Sequence, residues 1–167
     1  MIAYPLLLAF PIAMAFAAAN DLFTMKIPNA ISLALIAAFA ASALYIGMPM
    51  PDILNHAGIG AAVLVVTFIL FSMRMLGGGD AKLMAAGALW MGPEHILFYI
   101  AYVTIFGGML SVAILLYRKF VPAGQLPLPP WAQRLHTQGT GIPYGIAIAA
   151  AGLLMYPSTT FFQALQV

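Results

Sequence analysis

The sequence predicts an all-α membrane protein with about six transmembrane helices in a single domain, residues 1–167. The chain is 64% hydrophobic and 6% charged, whereas a soluble domain averages about 25% charged residues. Its mean hydropathy is +1.03. Six apolar stretches reach or approach the roughly 20 residues that a helix needs to cross a bilayer. These predicted spans are 1–19, 29–48, 53–72, 81–92, 95–117 and 142–157.

Short polar, glycine-rich or proline-rich segments separate the spans. The first span is uncharged, and a cleaved signal peptide is disfavoured because no basic residues precede the apolar stretch. The second span follows Pro28, whose missing N–H costs nothing at a helix start. The fourth and sixth spans are short, which favours tilt or burial by neighbours. The fifth connection, 118–141, is predicted as the one sizeable loop, with Trp131 as an anchor at the membrane interface.

Five of the six basic residues lie in odd-numbered connections between the spans, and Lys82 lies just after the third connection, at the start of the fourth span. The six residues are Lys26, Arg74, Lys82, Arg118, Lys119 and Arg134. With six spans these connections share one side, which the positive-inside rule makes cytoplasmic. The sequence therefore predicts a multi-pass protein of the cytoplasmic (inner) membrane with both termini on the outer side. The scattered charges give no indication of nucleic-acid binding, and the absence of cysteine excludes disulfides, a thiol nucleophile and cysteine-ligated zinc.

The chain has four acidic residues, and the predicted topology sorts them into two pairs. Asp52 and Glu94 fall in outer connections and read as solvated turn residues. Asp21 and Asp80 fall at the cytoplasmic ends of spans, and an ionisable group near the bilayer is a functional hypothesis by default. Taken singly, Asp80 could cap a helix N-terminus, and Asp21 could be a polar residue of a charged loop.

Two carboxyl groups within a few Å suggest chemistry. They share a proton, so that one accepts a proton from water while the other donates to a substrate carbonyl. This is the apparatus of an aspartic protease, and it needs no cofactor. His56, His95 and His136 are dispersed along the sequence, so no metal site is predicted.

The residues around the two aspartates have more than one possible role. The glycines that precede Asp80, from Gly77 to Gly79, would let the backbone leave helical geometry and approach another segment. Lys82 either lowers the pKa of the aspartate pair or binds a carboxylate, or it is an interfacial lysine that helps to set topology. Asn29 either hydrogen-bonds near Asp21 or caps the second span.

Two sequence contexts resemble the type IV prepilin peptidases, intramembrane aspartic proteases of the GxGD class. Asp21 is followed by Ile27-Pro28-Asn29, and Asp80 lies in Gly77-Gly78-Gly79-Asp80-Ala81-Lys82-Leu83. A third patch, with Pro143, Tyr144 and Gly145, is also similar to the family. The match is closest to the short form found in tight-adherence (Flp) pilus systems.

The resemblance implies that Asp21 and Asp80 are the catalytic pair and that Gly77 and Gly79 occupy the glycine positions of GxGD. It implies cleavage of a short basic leader from prepilin or pseudopilin substrates at the cytoplasmic face of the lipid bilayer. Long family members carry a cysteine-containing insertion after the first span and also N-methylate the pilin. Only residues 20–28 separate the first two spans here, so peptidase activity without methyltransferase activity is expected.

Paired carboxyl groups beside a glycine-rich break would also suit a small proton-coupled transporter. No second glycine-interrupted segment at a corresponding position indicates the internal repeat typical of that class. A non-catalytic scaffold would not require both aspartates. The sequence gives no indication of the oligomeric state.

Overall fold

The computed structural model describes residues 6–121, 129–137 and 141–165. The start of the predicted first span, the middle of the predicted fifth connection and the last two residues lie outside the described residues. The helices are α1 Ala9–Thr24, α2 Asn29–Tyr45, α3 Met50–Ser72, α4 Gly78–Phe120, α5 Pro130–His136, α6 Gly145–Met155, a 3-10 turn Tyr156–Ser158 and α7 Thr160–Gln163. These described residues include no β-strand, and the all-α prediction is confirmed.

Length and hydropathy distinguish two helices in the described part of the chain. α3 and α4 are long and apolar enough to cross a membrane. Three further apolar stretches are shorter, namely Ala9–Thr24, Asn29–Tyr45 and Gly145–Ser158. Each predicted span corresponds to one of these helices or, for the fourth and fifth spans, to one half of α4.

α4 consists of two helices joined at Gly92, which has φ 64° and ψ −173°. This conformation is essentially restricted to glycine. The next residue is Pro93, which has no N–H to donate to the carbonyl oxygen of Leu89 four residues earlier. His56 of α3 replaces the missing donor, since its Nδ1 lies 2.7 Å from the Leu89 oxygen. The break predicted near residue 92 is therefore a kink whose freed carbonyl is satisfied by a neighbouring helix.

The core lies around the first half of α4. Trp90 is fully buried, and its ring packs against Phe10 at 5.2 Å and Phe161 at 4.7 Å between centroids. Its indole N–H donates to the Leu35 carbonyl of α2 at 3.0 Å. α4 packs against α2, α3 and α6, while α1 packs against α6 and α2. The start of α4 consequently lies beside the end of α1 and the start of α6.

The described residues of the fifth connection include a short helix where the sequence predicts a loop. α4 continues to Phe120, and α5 begins at Pro130, a residue type favoured in the first turn of a helix. The Arg118 side chain donates to the Leu135 carbonyl at 2.6 Å. Trp131 contacts the ring edge of Phe23 at 6.1 Å between centroids. The prediction of a loop was thus wrong for these residues, because α5 is held by side chains from α1 and α4.

Candidate functional site

Asp21 lies in the last turn of α1 and is 5% exposed. Its Oδ2 accepts a hydrogen bond of 2.8 Å from the backbone N–H of Gly145, the first residue of α6. The first N–H groups of a helix have no partner within the helix and favour a negative charge. The start of α6 therefore fixes the Asp21 side chain across 124 residues of sequence.

Asp80 is the third residue of α4, and its carboxyl group accepts a hydrogen bond from the backbone N–H of Gly77. Gly77 is the residue that precedes the helix, so Asp80 caps its own helix in the manner of a capping box. Asp80 therefore caps the N-terminus of α4, which is the first of the roles that the sequence allowed. The Asp80 carboxyl group also lies close enough to Asp21 for the two negative charges to repel each other.

The glycines before Asp80 serve close approach and not an unusual backbone conformation. Gly77 has φ −69° and ψ 144°, which any residue can adopt, and Gly78 and Gly79 are helical. The residue with positive φ in this connection is Arg74, at 60°. A Cβ on Gly79 would lie 3.0 Å from the Cβ of Ile27. The backbone does leave helical geometry at Gly77, as expected, but in a conformation that does not require glycine. The expectation that the glycines admit a neighbouring segment agrees with the geometry at Gly79.

The two carboxyl groups line the same two cavities. The large aspartate cavity has a volume of about 1090 Å³, and the small aspartate cavity has a volume of about 490 Å³. The large cavity extends between the end of α3 and the second half of α4, past apolar side chains such as Phe71 and Val103. The small cavity is bordered by Pro28 and by the glycines before Asp80. The structure thus brings together the two aspartates that the sequence analysis paired.

The third sequence patch lies at the same place. Pro143 is buried, and Tyr144 lines the large aspartate cavity with its hydroxyl 3.5 Å from the Val103 carbonyl. A Cβ on Gly107 would overlap the Tyr144 ring, so the absence of a side chain at Gly107 provides the space for that ring. Gly145 is equally constrained, since a Cβ there would lie 2.8 Å from the Asp21 carboxyl.

Lys82 and Asn29 interact with each other. The Lys82 ammonium donates to Asn29 Oδ1 at 2.9 Å and thereby links α4 to α2. Asn29 is the first residue of α2, and the preceding Pro28 occupies the cap position without a side-chain hydrogen bond. The capping alternative for Asn29 is therefore wrong. Its side chain is used to bind Lys82, a pairing across 53 residues that neither reading had anticipated.

A separate polar cavity of about 130 Å³ lies near the kink in α4. It is lined by Asp52, His56, Glu94 and His95, so these two histidines are not dispersed in space as their spacing suggested. Within the described ranges, no group of three or more His, Cys, Asp or Glu side chains is placed to hold a metal ion.

Long apolar helices that enclose a cavity with carboxyl groups at one end are typical of a helical membrane protein with an internal polar site. A family model described as the type IV leader peptidase family matches residues 8–112, which is more than half of the chain. The chain belongs to this family and is a peptidase, as the resemblance implied. No curated protein and no solved structure gives a significant match.

Proposed function

We propose that the chain is an aspartic-type endopeptidase that removes the short basic leader of prepilin or pseudopilin substrates, with Asp21 and Asp80 as the catalytic pair. The observation that carries the proposal is the convergence of these carboxyl groups, from two different helices, on the same two cavities. The matched region of the family model includes both residues.

The chemistry follows from the ionisation of a close carboxyl pair. Repulsion between the two groups opposes double ionisation, so one carboxyl group keeps a proton while the other is charged. The charged group accepts a proton from water as the water oxygen attacks the peptide carbon, and the protonated group donates its proton to the carbonyl oxygen. As the tetrahedral intermediate collapses, the carboxyl group that took a proton from water passes it to the leaving nitrogen. Hydrolysis is then complete without a metal or a covalent intermediate.

The two carboxyl groups differ in burial and accept hydrogen bonds from different helix starts, which supports distinct roles for Asp21 and Asp80. Asp21 is buried and hydrogen-bonded to the first N–H of α6. Asp80 is less buried and accepts from the N–H of Gly77, which precedes its helix. An N–H donor stabilises the charged form of a carboxyl group. Because both groups have such a donor, repulsion between them and burial decide how the shared proton is distributed.

The substrate would approach through the large aspartate cavity. Its volume of about 1090 Å³ is generous for an extended peptide, and its wall along Leu70, Phe71 and Val103 is apolar. A leader substrate has its scissile bond at the junction of a polar segment and an apolar helix. The cavity has the same division, with carboxyl groups at one end and apolar side chains of α3 and α4 beyond them.

We place the protein in the cytoplasmic membrane as a single domain of six spans, with both aspartates toward the cytoplasm and both termini outside. The basic side chains support this orientation. Lys26 borders the small aspartate cavity, and Arg74 and Arg118 border the large one. An excess of such residues is typical of the cytoplasmic side. A basic leader that remains in the cytoplasm would meet the site without crossing the bilayer.

Co-expression with a prepilin substrate tests the proposal. The leader is followed by its gel shift in cells that make the wild-type chain, Asp21→Asn or Asp80→Asn. Each substitution keeps the shape of the side chain but removes its acid–base function, so each should leave the substrate uncleaved. Membrane fractionation must show equal insertion of all three proteins. Complete processing by either variant would exclude the assigned catalytic pair.

The family match does not favour the transporter alternative. A transporter would give pH-dependent flux in liposomes together with an intact substrate. Cleavage by the purified protein in detergent, where no gradient exists, separates the two functions directly.

A further inference from the structure

A third groove, which shares Asn29 with the small aspartate cavity, lies on the first half of α4. α2 and α3 form its walls, and its volume is about 460 Å³. Each helix contributes residues at positions i, i+3, i+4 and i+7, which form one face of a helix. The lining residues are Asn29, Ser32, Leu33 and Ile36 of α2, Ala57, Gly60, Ala61 and Leu64 of α3, and Lys82, Ala85, Ala86 and Leu89 of α4.

The groove is apolar along most of its length and cationic at one end. Its floor is built of small residues, among them Ala85 and Ala86, while Leu33 and Leu64 are 65% and 44% exposed at its walls. Seven residues of a helix span roughly 10 Å, so the groove is long and narrow. An apolar groove of this length, lined by small residues, accommodates part of a hydrocarbon chain.

The two polar groups at the cationic end are Lys82, which is hydrogen-bonded to an uncharged side chain, and Ser32, whose hydroxyl lacks a partner within the described residues. In the described part of the chain, the recorded hydrogen bond of the Lys82 ammonium goes to the neutral Asn29 side chain. Ser32 is 5% exposed, and its hydroxyl has no hydrogen-bond partner there. A buried polar atom without a partner costs free energy. Both observations point to an anionic or oxygen-rich ligand at this end of the groove.

We propose that the groove binds an acidic phospholipid, with one acyl chain along the small residues and the phosphate at Lys82. Ser32 lies three residues, or about 4.5 Å, further along α2 than Asn29. At that depth its hydroxyl donates to an ester oxygen of the lipid. Lys82 lies on the predicted cytoplasmic side, where anionic headgroups attract basic side chains. The site requires a membrane location but does not depend on catalysis by Asp21 and Asp80, neither of which lines the groove.

Native mass spectrometry of the full-length protein in detergent tests the site, with phosphatidylglycerol and phosphatidylcholine titrated in parallel. The wild type should retain one phosphatidylglycerol in preference to phosphatidylcholine. Lys82→Gln removes the charge and should weaken phosphatidylglycerol binding about five-fold, to the level of phosphatidylcholine. Lys82→Arg keeps the charge and should restore the preference for phosphatidylglycerol.

A second pair of variants tests the acyl-chain part of the groove. Ala61→Phe places a ring in the groove and should reduce binding of both lipids, whereas Ala62→Phe, at an exposed neighbouring position outside the groove, should bind like the wild type. Equal lipid retention by the wild type, Lys82→Gln and Ala61→Phe would overturn the proposal. So would an increased KM for substrate in Ala61→Phe with unchanged lipid binding, since that result assigns the groove to the substrate's apolar helix.

Discussion

Acidic side chains occur in pairs at both ends of the helical bundle, and the protein holds the two pairs differently. Asp21 is 5% exposed and accepts a hydrogen bond from Gly145, while Asp80 faces the same cavities from the start of α4. Asp52 and Glu94 also share a cavity, but both are exposed and that cavity is only about 130 Å³. Two acidic side chains therefore lie near each other at both ends. At the Asp21 end, an acid is also buried and hydrogen-bonded to a backbone N–H.

Glycines lie beside the acids at both ends of the bundle, and each end requires glycine for a different reason. Gly92 adopts a backbone conformation that other residues do not tolerate. Gly77, Gly79 and Gly145 adopt ordinary conformations but leave no room for a Cβ. Gly92 avoids backbone strain, whereas the glycines near Asp21 and Asp80 allow helix ends to lie close to the carboxyl groups. The two ends should thus respond differently to the same kind of substitution.

The largest expected difference between the ends concerns the carboxyl groups themselves. Asp80→Asn should lower the rate of leader cleavage at least about 10³-fold, because it removes a group that exchanges protons with water and substrate. Glu94→Gln and Asp52→Asn should leave the rate unchanged. The measurement is a single-turnover cleavage assay with purified proteins. A comparable loss in Glu94→Gln would erase the distinction between the two pairs.

The next largest effect is expected at the start of α6. Gly145→Ala puts a Cβ 2.8 Å from the Asp21 carboxyl and 2.7 Å from the end of Ile27, so Asp21 must move. A displacement of about 1 Å can cost roughly 10²-fold in rate. The matched control is Gly108→Ala, where a Cβ meets no atom within 4 Å. Wild-type kcat in Gly145→Ala would show that the position of Asp21 does not limit catalysis.

A smaller effect is expected from Gly107→Ala. The new methyl group overlaps the Tyr144 ring and pushes it into the large aspartate cavity. Because the carboxyl groups stay in place, we expect roughly a ten-fold loss in kcat/KM, mainly through KM. Steady-state kinetics on a peptide that spans the cleavage site separates the two parameters. A loss confined to kcat would instead assign Tyr144 to the chemical step.

The smallest effect on activity, together with a clear effect on stability, is expected at the kink. Gly92→Ala forces a side chain into a positive-φ conformation and against the His56 ring, which should destabilise the fold by about 1–3 kcal/mol. The fraction that remains folded should cleave at the normal rate. Thermal unfolding in detergent and activity per folded molecule report the two quantities. A fall in specific activity without a lower Tm would connect the kink to the catalytic end.

Much of the site followed from the sequence because its main determinants are local. The short polar breaks located the helix ends, and the basic residues put Asp21 and Asp80 on one predicted side of the membrane. The resemblance of their sequence contexts to one family then paired them. The hydrogen bond from Gly145 to Asp21 was not predictable in this way, since it depends on how α6 packs against α1. The same holds for Lys82 with Asn29, where each residue had a plausible local role and the tertiary contact replaced it.

The departures from prediction have physical causes that particular residues make clear. Pro93 and Gly92 marked a break, but only the structure shows that His56 accommodates the kink by binding the freed Leu89 carbonyl. The proline-rich fifth connection was read as a loop because proline disfavours helix interiors. Pro130 instead starts α5, where proline is tolerated.

Ile27 has a consequence for the spacing of the candidate catalytic groups. Its side chain is wedged between Gly79, which neighbours Asp80, and Gly145, which holds Asp21, within 3.0 Å and 2.7 Å of where their Cβ atoms would be. One branched side chain therefore acts as a spacer whose volume sets how far apart two helix ends stand. Enlarging either glycine while trimming Ile27 would conserve total volume yet shift one end relative to the other, so these three positions are expected to vary together or not at all.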